Sequence, residues 1–439
     1  MTVLQPRLLT ILALAAASFC LPAPVPAYAQ AQSAPTFEEA VAKYNNGDNT
    51  AAVRDFWRLA ADGDSQAQFY LAYMQENGLG TGKDTYGSVS WYRKSAEQNY
   101  LPAVTYMGYL YSIGRGVTKD DKESFKWYTK AAQMGDASAQ NNLATMLRDG
   151  RGYKKNYSLA TQWYLQSAMQ GNVRAQYNLA TMYRQGKGVK TNYAEAMRWY
   201  TYAAEKGDKY AQSALASMYR KGQGVKQSMQ EAMAWYQLSA EQGYAAAQLA
   251  LAILYETGEV GGEKNPEEAA LWYARAAKQG NPYAQNRIAY FYEKGLGLPQ
   301  DYKSAVRWYT KAADESNHLP SMAALGRLYE EGKGVPQDIT KARSLYEKGA
   351  EAGDPYSQRE LGRLYKEGKG TIKKDLVQAY QWLALAATGF PDGEDRAGAV
   401  GSRIEISNGL SESQLSDARR RVTSWKPRPL PPVRKTAGR

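Results

Sequence analysis

A Gly-x-Gly element recurs nine times along this chain, with its first glycine at Gly78, Gly114, Gly150, Gly186, Gly222, Gly258, Gly295, Gly332 and Gly368. The spacing is 36 or 37 residues throughout, although the Gly258 copy is stretched to Gly261-Gly262. A fixed period of this length means that one supersecondary unit is copied. A unit so small cannot bury its own apolar face, so the copies must stack into a continuous core.

A second column lies downstream at Trp91, Trp127, Trp163, Trp199, Trp235, Trp272, Trp308, Leu345 and Trp382, mostly followed by Tyr. Seven residues before each member stands Asp84, Asp120, Asn156, Asn192, Ser228, Asn265, Asp301, Asp338 or Asp375. Each of these short polar side chains can accept from free first-turn N–H groups, which starts a second helix (helix B) at that point. Glu195 and Glu231 are placed to complete capping boxes, and Asn265-Pro266 combines an N-cap with a first-turn proline. Gly135, Gly171, Gly207, Gly243, Gly280 and Gly353 fall where a left-handed residue ends that helix. The first helix (helix A) shows best in the fourth copy, where Ala175, Leu179, Ala180, Met182 and Tyr183 make an apolar stripe before Gly186. The Ala180 column is Ala or Gly in every copy, which allows close helix approach. A buried tryptophan hides about 150 to 250 Å², or roughly 4 to 6 kcal/mol before entropy, so the Trp column is expected in the core.

The Ala175 to Gly186 pattern, the capped second helix and the Trp-Tyr-x-x-Ala-Ala run together resemble the Sel-1-like repeat, a relative of the tetratricopeptide repeat. The resemblance spans Ala67 to about Gly389, with local departures at Gln75 and Leu147 for the helix-A tyrosine and at Leu345 for tryptophan. It implies an all-α fold: a right-handed α/α superhelical solenoid of nine helix-turn-helix repeats with helical caps at both ends. The expected organisation is a signal peptide over 1–29, a linker and capping helix pair over 30–66, the repeats over 67–389, a capping segment with a helix from Ser411 over 390–425, and a tail over 426–439. Asn317-His318 is inserted before repeat eight, where Leu345 also replaces tryptophan. That makes the seam between repeats seven and eight the expected weak point.

The signal peptide is read from a short basic start ending at Arg7, an apolar run from Leu8 to Leu21, and Ala27-Tyr28-Ala29 as a cleavage site. Export is therefore expected, to the periplasm or beyond, with no transmembrane span. Phe19 before Cys20 lacks the small residue that lipid attachment needs. Cys20 is the sole cysteine, so no disulfide is available. The net charge of +12 bears on solubility and on non-specific partners rather than on fold. Part of the excess sits in the tail, where Lys426, Arg428, Arg434, Lys435 and Arg439 alternate with prolines. That composition reads as disordered and polyproline-like, either a solvated end or a weak contact for an acidic envelope surface.

No catalytic constellation emerges. His318 is the only histidine, which leaves no His-based triad or His-rich metal site. The Gly-x-Gly loops follow helices rather than strands. Beside Gly186-Lys187, Gly332-Lys333 and Gly368-Lys369, a P-loop's first glycine is replaced by Thr181, Arg327 and Arg363. Asp120-Asp121 and Glu267-Glu268 sit in helix first turns, where they favour the dipole. The reading is non-enzymatic, without cofactor, metal or nucleic acid, and with protein partners. Cysteine-rich relatives have been linked to β-lactam chemistry, a link that lacks its residues here.

In family members helix A lines the concave face, which by resemblance makes a groove of the helix-A positions outside the apolar stripe. Repeats one and two place Phe69, Tyr70, Tyr73, Tyr106 and Tyr109 there. Repeats three and four place Asn141, Asn142, Tyr177 and Asn178, with Arg148, Arg184 and Arg220 forming a basic ladder 36 residues apart. Repeats six to eight carry Glu256, Glu293 and Glu330 at the ladder position, an acidic far end. Aromatic, Arg and Asn side chains suit peptide binding, so Tyr70, Tyr73, Tyr106, Tyr109, Asn142, Asn178, Arg148, Arg184 and Arg220 are the candidate partner-binding residues. The competing reading packs the tyrosines on the N-terminal cap and leaves the charges solvated or mutually paired.

Overall fold

The computed structural model describes residues 35–433 except 260, 370 and 371. The expected signal peptide lies outside the described residues. Among them are twenty-two α-helices and no strand. They fall into two compact units, 35–107 with 114–118, and 108–113 with 119–433.

The first unit begins with α1 (Phe37–Asn45) and α2 (Asn49–Ala61), the expected capping pair, joined across Gly47-Asp48. Next come α3 (Ser65–Asn77), α4 (Thr85–Glu97) and the first half of α5 (Leu101–Ile113). Phe56, Leu71 and Met74 close its core, with Phe37, Val41 and Tyr70 packed against them.

The second unit continues with α6 (Asp121–Gln133), then the pairs α7 (Ala137–Asp149) with α8 (Tyr157–Met169), α9 (Val173–Gln185) with α10 (Tyr193–Glu205), and α11 (Lys209–Lys221) with α12 (Met229–Glu241). There follow α13 (Ala245–Thr257) with α14 (Pro266–Lys278), α15 (Pro282–Lys294) with α16 (Tyr302–Ser316), α17 (Leu319–Glu331) with α18 (Ile339–Glu351), and α19 (Pro355–Glu367) with α20 (Leu376–Gly389). Each of these helices packs on its neighbours in the chain, the order of an α-solenoid.

All nine N-caps form, each side chain accepting from first-turn N–H groups of its helix. The reciprocal half of the boxes expected at Glu195 and Glu231 does not. The Glu195 carboxylate instead receives the Trp199 indole N–H at 3.2 Å and pairs with Arg198 at 2.8 Å.

The two glycines of the Gly-x-Gly have different duties in the copies that begin at Gly78, Gly114, Gly150, Gly186, Gly222, Gly295 and Gly332. Gly150 ends α7 in the left-handed conformation at φ 74°, whereas a Cβ on Gly152 would sit 2.0 Å from the Asp121 carbonyl oxygen of the preceding helix B. The first glycine closes a helix, and the second lets successive repeats touch backbone to backbone. Close approach also explains the Ala180 column: a Cβ on Gly326 would lie 2.6 Å from the Tyr346 ring.

The core differs from expectation in one respect. The tyrosine after the Trp column is the more completely closed side chain: Tyr164, Tyr200, Tyr273 and Tyr346 have no exposed surface, whereas Trp199, Trp272 and Trp382 are buried as expected but Trp127, Trp163, Trp235 and Trp308 are only half-buried. Adjacent positions on a helix point about 100° apart, so one turns into the helix pair and the other toward its margin. There a cation three residues on covers the indole, as Lys94 does Trp91 at 4.1 Å and Lys130 does Trp127 at 5.5 Å.

A buried glutamine column joins the repeats. Gln140, Gln176, Gln212 and Gln248 each donate from Nε2 to a carbonyl near the C-terminus of the preceding helix B, at 3.1 to 3.3 Å. Those carbonyls have no partner within their own helix.

At the C-terminus the polar stretch after Gly389 holds a helix that its composition does not announce, α21 (Glu394–Ser407). The expected one follows as α22 (Glu412–Ser424), with Ser411 and Gln414 forming a complete capping box. Among the described residues no helix is long and apolar enough to cross a membrane.

Candidate binding face on the A helices

The candidate residues divide by what already satisfies them. In the first unit Tyr70 is packed into the cap, stacked on Phe56 at 5.2 Å and edge-on to Phe37 at 5.6 Å. Tyr73 hydrogen-bonds Tyr44, and Tyr106 donates to Glu76 at 2.8 Å, a carboxylate that also takes the Tyr92 hydroxyl at 2.9 Å and Arg115 at 2.6 Å. These three tyrosines serve internal contacts.

In the second unit Tyr109 is half-buried on α5. Asn178 donates to Asn141 at 3.0 Å, Asn141 to Asn142 at 3.3 Å, and Arg148 reaches Asn178 at 3.5 Å while pairing with Asp149 at 2.8 Å. The Asp149 bond raises the Arg148 guanidinium's pKa and lowers the carboxylate's own. Arg220 makes a two-pronged pair with Glu259 at 3.1 and 3.2 Å. Arg184 stands apart: it lies over the Tyr200 ring at 5.8 Å, and among the described residues no carboxylate pairs with it. A further aromatic row runs beside this stretch, with Tyr177 against Tyr210 at 6.1 Å and Tyr210 against Tyr244 at 5.0 Å. The Tyr210 ring is half-exposed. Sequence reasoning missed Tyr210 and Tyr244 because they lie at the start of helix A, outside the groove positions.

The ladder position also decides how the buried helix-B tyrosine is satisfied. In repeats three to five a hydroxyl three residues earlier does it. Thr145 donates to the Asn141 carbonyl and is left to accept from Tyr164 at 2.9 Å. Thr181 does the same for Tyr200 at 2.8 Å, and Ser217 bonds Tyr236. In repeats six to eight the ladder glutamate does it. Glu293 takes Tyr309 at 3.2 Å and Arg327 of the next repeat at 2.7 Å. Glu330 takes Tyr346 at 3.2 Å, Arg363 at 2.6 Å and Lys369 at 2.8 Å, and Glu256 takes Tyr273 and Arg287. Glu293 and Glu330 are only 2% and 5% exposed. The expected acidic far end is thus an internal ion-pair system, not an acidic surface. Burial works to raise both carboxyls, but Lys294 with Arg327, and Arg363 with Lys369, outweigh it and hold them below their ordinary value.

No group of three His, Cys, Asp or Glu side chains suited to a metal occurs among the described residues. His318 occupies the N-cap position of α17 without a side-chain capping bond, half-buried, with Nδ1 2.9 Å from the Ser321 hydroxyl.

Comparison with known proteins agrees with this architecture. The Sel1 repeat family model matches nine consecutive segments over residues 65–389. A protective antigen of uropathogenic Escherichia coli strains, solved with an SLR fold, is 32% identical over 88% of this chain and 83% of its own, with a TM-score of 0.73. A Sel1 repeat protein from Oxalobacter formigenes is 31% identical over 71% of this chain and 89% of its own, with a TM-score of 0.56. Among curated proteins, the rat DAP3-binding cell death enhancer 1 is 41% identical over 56 residues, which are 13% of this chain and 11% of that protein.

Proposed function

Since the chain belongs to the Sel1 repeat family, whose scaffolds mediate protein–protein interaction, we propose that it is an exported, non-enzymatic scaffold that holds an extended partner segment on the A helices of repeats three to five. The observation that carries this is Arg184. Thr181 satisfies the tyrosine beneath it, so among the described residues its guanidinium fork is left without an internal carboxylate. Asn142 and Asn178 lie half-exposed on the same face, able to pair with both donors and acceptors of an extended backbone. Export to the periplasm rests on the N-terminal sequence pattern. Envelope assembly, exopolysaccharide regulation and signalling are the settings it suits.

The likeness to a protective antigen favours a second reading, a secreted host-facing factor. Its glycan-binding form draws less support, because Tyr70, Tyr73 and Tyr106 are engaged internally.

The test is affinity capture from a periplasmic extract, comparing the wild type with Asn142→Ala, Asn178→Ala and Arg184→Ala combined, at matched thermal stability. Loss of captured proteins is expected, and an unchanged set would falsify the placement on this face. Fractionation that finds the protein in the medium favours the second reading.

A further inference from the structure

The proline-rich tail does not simply leave the fold. Trp425 packs edge-on against Trp382 at 6.4 Å, and Pro427 and Trp425 are the side chains nearest Gly353, in the turn after α18. The Arg428 N–H donates to the Glu351 carbonyl at 2.8 Å, and the Pro431 carbonyl accepts from Asn317 Nδ2 at 2.8 Å. Leu430 and Val433 are half-buried, whereas the residues between and before them are exposed.

The chemistry is economical in donors. From Pro427 to Pro429 only Arg428 carries an N–H, and that one donor goes to a last-turn carbonyl of α18 with no partner in its own helix. An extended proline segment is already stiff, so ordering it on a surface forfeits little entropy. The side-chain pair of Arg428 with Glu351, at 3.7 Å and well exposed, adds little.

The site at the other end is equally specific. Asn317 is the inserted residue before repeat eight. It ends α16 in the left-handed conformation at φ 51°, and its amide faces the tail. The two irregular features of the chain, the insertion and the proline tail, meet at the seam where Leu345 replaces the stacked tryptophan.

We propose that residues 425–433 are an intramolecular strap, an internal ligand seated across the ends of α18 and α16 that ties repeat eight to repeat seven where regular stacking is interrupted. The strap lies at the helix-B ends and does not depend on the partner-binding face argued above.

Hydrogen exchange on the full-length protein tests it with three variants. Arg428→Pro deletes the donating N–H, Asn317→Gly deletes the amide while keeping the left-handed turn, and Arg428→Ala keeps the N–H. In the first two, exchange of residues 312–325 should rise about fivefold, the weight of one net hydrogen bond, and in Asn317→Gly so should that of the Arg428 amide, the bonded N–H of the tail. Arg428→Ala should match the wild type. A wild-type Arg428 amide exchanging at its free-peptide rate, no change in Arg428→Pro and Asn317→Gly, or equal effects of Arg428→Ala and Arg428→Pro would each overturn the strap.

Discussion

Repeats three to five and repeats six to eight bury the same tyrosine in two ways. In the middle repeats a neutral hydroxyl of the same helix completes Tyr164, Tyr200 and Tyr236, so each hydrogen bond stays within one repeat. In the far repeats a carboxylate completes Tyr273, Tyr309 and Tyr346 and draws in a cation from the following repeat. The residue at the ladder position, Arg or Glu, thus decides whether the buried tyrosine is completed within its own repeat or through a carboxylate shared with the next. The far repeats gain coupling, while the middle ones keep Arg184 available.

The largest expected effect lies at Glu330. Replacing it with Ala leaves the Tyr346 hydroxyl, Arg363 and Lys369 without their shared acceptor. Losing one partner of a buried pair costs about 3 to 5 kcal/mol. Arg363 keeps Glu360 and Glu367, both at 2.9 Å, and Lys369 is partly exposed and can turn to water, so the lower end, ~3 kcal/mol, is expected. Denaturant unfolding read by regional exchange over α17 to α19 measures it. A change below ~0.5 kcal/mol would show the charged system to be dispensable and collapse the contrast between the regions.

Acid sharpens the same comparison. Burial lowers the His318 pKa from its ordinary 6.5. Ser321 accepts from Asn286 at 2.9 Å, so its own proton is free to reach Nδ1 of the neutral ring. A lowered folded-state value means that this stability is complete above pH 6.5 and is lost as pH falls through the lower folded value. Glu293 and Glu330, also held below their ordinary 4.5, lose their contribution in the same direction but at lower pH. Exchange between pH 7 and 3 should therefore loosen residues 312–325 first, the Glu-centred repeats second and repeats three to five last. Simultaneous loss everywhere would contradict it.

The repeat itself was legible in sequence because its signals are local. N-caps and left-handed glycines depend on backbone geometry within a few residues, and all nine N-caps stand where the spacing put them. What escaped the sequence depends on the next repeat. The half-buried margin of Trp127 and Trp163, the acceptor role of Thr181, and the pairing of Glu293 with Arg327 become visible only once helices are stacked. Charge at the ladder position was read correctly as a column and wrongly as a surface at Glu293 and Glu330, because a one-letter pattern cannot show which side chain meets a counter-ion 34 residues away. Thr145, Thr181 and Ser217 lie outside the apolar stripe of helix A, where the groove was expected, but they are the support beneath it.

Thr181→Ala addresses that support with a smaller effect. It leaves the Tyr200 hydroxyl without its acceptor in the core, which costs about 1 to 3 kcal/mol in general. About 1 kcal/mol is expected here, because alanine adds no charge and the neighbouring repeats are not coupled through this bond. A loss matching that of Glu330→Ala would mean that the neutral and charged arrangements bear equal weight.

Arg184→Ala should be the smallest of all in stability and the most informative. Its guanidinium lies over the Tyr200 ring at 5.8 Å and is half-exposed, a contact of about 0.5 kcal/mol at an exposed site. Arg220, by contrast, holds Glu259 in a two-pronged pair, so Arg220→Ala removes an internal bond as well as a charge. If the middle repeats offer charge outward, Arg184→Ala should leave the melting temperature nearly unmoved yet lower partner capture, and Arg220→Ala should lower capture less. A melting shift at Arg184→Ala as large as that of Thr181→Ala, with capture unchanged, would make Arg184 a lid on Tyr200 rather than a binding group, and the two regions would then differ only in how they hold themselves together.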